Sequence, residues 1–182
     1  MTKNPKKMTK FEQQKIIEIV LYILNKTGGM DYYHLFKILY FANQRSLVDW
    51  GQLMIADKFC ALPHGPVPTI LYSTIQGQKS VLSNMKDDVN VVDYYLLSKR
   101  DPDMDYLSQY DKETLDACIS KYGEMSFKEL EKTSHTTCWQ KARDKKGNHV
   151  IDPGDIARDG GANDELVKYI NDSIAFDEAF GS

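Results

Sequence analysis

The chain has 182 residues, 42% of them hydrophobic and 27% charged, with a formal net charge of −3. That balance suits one domain with a sizeable core and excludes wholesale disorder. No apolar run reaches the ~18–20 residues of a membrane span, no cleavable apolar leader follows the start, and the charge argues against nucleic acid as partner of the whole surface, so a cytoplasmic protein is expected.

Lys3, Lys6, Lys7 and Lys10 give the first ten residues a charge of +4. They read as a solvated tail, residues 1–10, ahead of a single domain over 11–182. From Phe11 to Lys26, apolar residues recur at helical spacing and widen into a stripe that implies burial on most sides, with Glu18 the one break in "IIEIVLYIL". "TGG" at Thr27–Gly29 ends that helix, and Asp31 caps a second, Tyr32 to Leu47, the two forming a helical hairpin. "LMIADKFCAL" at Leu53–Leu62 holds a short extended segment. "PHGPVP" packs three prolines and a glycine into six residues and reads as a rigid surface loop that aims a helix from Pro68 to about Gln76. "VNVVDYYLL" at Val89–Leu97 reads as a strand. A helix follows behind Ser108, a short one behind the capping box Ser126/Glu129, then a turn-rich stretch His149–Asp164 and a last helix capped by Asn163 or Asp164. That helix carries five acids against Lys168, so it opposes the basic start in charge. The expected fold is α+β and mainly α, a compact helical domain with a short strand or small antiparallel hairpin.

Two blocks in this pattern, "KILYFA" at Lys37–Ala42 and "GPVP" at Gly65–Pro68, resemble those of the Panacea antitoxin domain family, a SocA-like, phage-associated domain. The likeness continues through Asp103–His135 and ends in "GANDELVKYI", so it covers nearly the whole chain beyond the basic start. The resemblance implies an antitoxin that binds and inactivates a protein toxin encoded by a neighbouring gene. It also implies promiscuity towards unrelated toxin folds, and one branch that instead delivers its toxin to a protease. Many relatives carry an added DNA-binding domain, for which this chain has no room.

Candidate chemistry is sparse. Cys60/His64 and His135/Cys138 have neither the spacing of a zinc framework nor an orienting third group for a thiol nucleophile. Three cysteines at wide spacing argue against disulfides. No metal, no cofactor and no enzymatic activity are expected. "TLDACISKYGEMSFKELEKTSH" has the shape of a helix-turn-helix, with Lys141, Arg143, Lys145 and Lys146 beyond it, which makes a DNA-binding regulator the alternative. Glu124, Glu129 and Glu131 would face phosphates badly. The expected toxin-facing residues are the stiff loop His64, Gly65, Pro66, Val67 and Pro68 with the aromatic residues Tyr40, Trp50 and Tyr72, since rigid loops and exposed aromatics make economical anchors. Homo-oligomerisation is left open.

Overall fold

The architecture follows from a computed structural model that describes residues 6–181. Helix α1 (Lys10–Thr27) opens at Thr9, whose hydroxyl accepts from the Glu12 N–H while the Glu12 carboxylate accepts from the Thr9 N–H. Residues ahead of Lys6 lie outside the described part. Of the rest of the basic start, Lys6 Nζ stands 3.6 Å from the Asp177 carboxylate, so the basic and acidic ends of the chain meet. From Ile16 to Leu24 every residue of α1 is buried, Glu18 included.

Strand β1 (Met30–Asp31) and helix α2 (Tyr32–Trp50) follow, the helix capped by Asp31 and closed by Gly51 in the left-handed region. The connection is as short as expected, but the two helices do not form a simple hairpin. α2 is the hub of the domain: α4 (Gln109–Tyr122), α7 (Pro153–Asp159) and strand β3 (Gly65–Pro68) pack on it, whereas α1 lies chiefly against β5 (Tyr95–Ser98), the turn at Met104–Tyr106 and α4. The remaining helices are α3 (Thr69–Ile75), α5 (Phe127–Ser134), α6 (Thr137–Asp144) and α8 (Asp164–Phe180). The fold is therefore α+β and mainly α, with two small antiparallel sheets among the described residues. No helix there is long and apolar enough to cross a membrane.

Three readings of the sequence are corrected. The expected single strand Val89–Leu97 is a hairpin, β4 (Val89–Val92) and β5, which together with β1 forms a sheet of order β1-β5-β4. It reverses at Asp93, whose φ of 56° is one that aspartate tolerates better than most residues. Continuous apolar residues on both sides hid that turn. The stretch after His149 contains α7, started by the Asp152 carboxylate on the Gly154 N–H with Pro153 in the first turn. "PHGPVP" is not a free loop: β3 pairs with β2 (Phe59–Leu62) around the turn Pro63–His64, and Gly65 to Pro68 are buried throughout.

Two buried carboxylates fasten these parts. Asp57 accepts from the N–H groups of Ile70 and Leu71 at 3.0 and 2.9 Å, a distant substitute for the cap that Pro68 cannot supply to α3. Glu18 receives both terminal nitrogens of Arg100 at 2.9 and 2.7 Å, the Asp103 N–H at 2.6 Å and the Gln14 amide at 2.6 Å. Burial alone would raise the Glu18 carboxyl, but these donors outweigh it and hold it below its usual value. Arg100 also grips Asp88 at 2.8 Å, so one guanidinium ties the segments flanking the β4–β5 hairpin to α1.

Candidate functional site

The two sequence blocks meet at the N-terminal half of α2. Thr69 donates to the Lys58 carbonyl, which fixes the hydrogen-bond phase of the β2–β3 ladder. In that phase Pro66 and Pro68 stand where an N–H would point away from β2. β3 is thus a sheet edge that offers no donor at either position. The outward Pro66 carbonyl is filled by Lys37 Nζ at 3.1 Å. Lys37 is wholly buried, and its ammonium end also lies 4.2 Å from the centre of the Tyr33 ring. A β-carbon on Gly65 would fall 2.7 Å from Lys37 Cε and 2.6 Å from Ser134 Oγ, so glycine is the residue that lets the lysine through. Burial drives the Lys37 amine down to about 7, against the opposing pull of Glu131 and Asp31.

Above this buried joint lies an aromatic rim. The Tyr33 hydroxyl donates to the His64 carbonyl at 2.6 Å, and its ring stacks on Phe127 at 4.3 Å. Burial pushes the Tyr33 phenol up to about 12, which keeps it a donor. His64 approaches the Phe127 ring at 5.3 Å and Glu131 at 3.3 Å. Phe127 is 44% exposed and the His64 side chain 67%. His34 braces the rim from below, with Nδ1 on the Asp31 carboxylate and Nε2 on the Met125 carbonyl, both at 2.7 Å. The Asp31 bond is the chief reason its imidazole is held above the ordinary histidine value. On the neighbouring face Tyr72 meets Tyr32 and Phe36 edge to face.

The expected site residues are not one patch. Tyr40, expected among the exposed aromatics, is fully buried with its hydroxyl 3.1 Å from Cys138 Sγ. Gly65 to Pro68 form the buried strand. Tyr72 is half-buried, and His64 is exposed on the rim. Trp50 is 64% exposed but sits at the other end of α2 from Tyr33, roughly 26 Å along the axis at 1.5 Å per residue. Tyr33 and Phe127 are not among the expected residues: no spacing in the sequence sets either apart from the core aromatics.

The other constellations also separate. Cys60 contacts Thr69, His64 contacts Glu131, and His135 lies flat on Trp139 at 3.7 Å. No three His, Cys, Asp or Glu side chains converge as a metal set among the described residues. Burial pushes the Cys138 thiol up to about 11, away from thiolate chemistry. Of the cations beyond α5, Lys141 pairs with Asp155, Arg143 donates to the Ala61 carbonyl and Lys145 to the Val150 carbonyl.

A family model described as antitoxin SocA-like, Panacea domain, matches residues 35–140, from the first core residue of α2 to the middle of α6. The match contains both blocks, the β2–β3 hairpin and Phe127. No curated protein and no solved structure matches the chain.

Proposed function

The chain belongs to the antitoxin SocA-like, Panacea domain family, and from that membership we propose that it neutralises a cognate protein toxin by binding it directly in the cytoplasm. The family match is the observation that carries this reading. Neutralisation by occlusion asks for a preorganised, complementary surface rather than for catalytic groups, because a rigid surface loses little entropy on binding. The rim of Tyr33, His64 and Phe127 has that character: large rings, two of them hydrogen-bonded, set on a joint that is itself closed by Lys37 and the proline edge. We assign the toxin-facing role to this rim first. The DNA-binding alternative gains little from the geometry: of its four cations, Lys141, Arg143 and Lys145 already have partners within the chain, which leaves Lys146 alone without one among the described residues. Delivery of the toxin to a protease would use the same binding step.

The test is co-expression. The neighbouring open reading frame, induced alone, is expected to arrest growth. Induced together with this chain it is expected to be harmless, and the two proteins are expected to purify as one complex. A neighbour that is harmless alone and does not copurify overturns the reading. A toxin that disappears from cells only when a protease is present moves the mechanism to delivery.

A further inference from the structure

The far end of α2 carries a cleft of about 450 Å³ that the rim does not use. Four aromatic side chains line it: Phe11, Trp50, Tyr106 and Tyr110. Trp50 and Tyr110 meet at 89° with centroids 5.9 Å apart, and Phe11 and Tyr106 pair at 5.1 Å. The Tyr110 hydroxyl donates to Asp49 at 2.8 Å, which fixes that wall in place. Trp50 and Phe11 nevertheless leave 64% and 58% of their surface in water.

The charges in the lining are unequal. Lys15 and Asp111 cancel as an ion pair at 3.1 Å. Asp105 also lines the cleft, and among the described residues its carboxylate makes no hydrogen bond or ion pair. Aromatic walls beside a free carboxylate attract a cation with carbon attached, since ring faces and carboxylate both favour positive charge. An anion would meet Asp105 unfavourably, and a purely apolar group would cover it without a partner.

We infer that this cleft receives an arginine side chain presented by a protein partner, its guanidinium against the aromatic walls and paired with Asp105. Arginine is preferred to lysine because a planar, weakly hydrated guanidinium stacks on rings and offers a carboxylate two parallel donors. The cleft volume lies within the usual range for ligand pockets, about 300–1,000 Å³. Naming that partner as the toxin rests on the proposed function.

Two measurements separate the pocket from the partner. Acetyl-arginine methylamide is titrated into the whole chain while the two tryptophan indole N–H resonances are followed by NMR. Acetyl-citrulline methylamide, its uncharged isostere, is the control. The Trp50 resonance is expected to shift saturably with arginine, and about tenfold more weakly with citrulline. The Trp139 resonance, whose N–H is held by the Leu62 carbonyl, is expected to stay still. Asp105→Asn is expected to reduce the arginine response to that of citrulline. Equal responses to arginine and citrulline, no change in Asp105→Asn, or no saturable shift overturns the cation pocket. In the second arm, Trp50→Ala and Asp105→Asn are each expected to weaken the purified toxin complex about tenfold. Undiminished binding overturns the assignment to the toxin. If the wild-type chain captures no toxin, the antitoxin reading fails, and the arginine titration still decides the pocket.

Discussion

Lys37 is wholly buried between the Pro66 carbonyl and the Tyr33 ring. Its amine titrates near 7 when folded and near 10.5 when free, because burial disfavours the charge. Between those values the unfolded chain holds a proton that the folded chain lacks. Stability therefore rises with pH across that window, by up to about 1.4 kcal/mol per unit. In Lys37→Met that slope is absent, and the Pro66 carbonyl is left without its donor. Urea denaturation of both proteins from pH 7 to pH 9 is expected to show wild type gaining about 2 kcal/mol on the variant. Parallel curves would mean that Lys37 is charged and paired throughout. The sequence displays Lys37 only as the head of a motif. Its burial was illegible, because an isolated lysine on a helix is ordinarily solvated, and the carbonyl that holds it lies 29 positions away.

At the scale of elements, the β4–β5 hairpin region depends on one cation. Arg100 is the chief partner of the buried Glu18 and reaches Asp88 as well. Arg100→Met removes that partner and leaves Glu18 nearly without solvent. Breaking a buried pair from one side costs about 3–5 kcal/mol, and the lower end is expected because Arg100 is about a third exposed. Thermal unfolding of the variant checks this, and a loss below about 1 kcal/mol would show the pair to behave as a surface one. Elements with strong local signals were readable: α2, α4, α5 and α8 start at the caps the sequence offers, while the Thr9 cap of α1 lies within the stretch read as a tail. Elements set by distant partners were not. The tight turn at Asp93 and the strand character of Gly65–Pro68 depend on pairing, and Asp57 caps a helix that begins twelve residues later.

On the whole molecule, the rim and the cleft stand at opposite ends of one rigid helix. Losses at well-separated sites add when the sites are independent. Phe127→Ala is expected to weaken the toxin complex about tenfold without unfolding the chain, since Phe127 is on the surface. Combined with Asp105→Asn, the loss is expected to be about the product of the two, read by titration of purified toxin. If Phe127→Ala binds toxin undiminished, the rim is not the toxin face. The family blocks in the sequence pointed to the joint beneath the rim, and both are buried there. The exposed rings above it carry no spacing signal that separates them from core aromatics.

Gly65 and Lys37 are neighbours whose freedom to change is unequal. A β-carbon at position 65 and a long side chain at position 37 cannot share the space that Ser134 also borders. The dependence runs one way: Gly65 has a φ of 109° and a β-carbon there would meet Ser134 Oγ at 2.6 Å as well as Lys37 Cε, so shortening position 37 alone does not free position 65, whereas filling position 65 displaces the lysine. The glycine of the second block is therefore needed by the backbone even where the lysine of the first is gone.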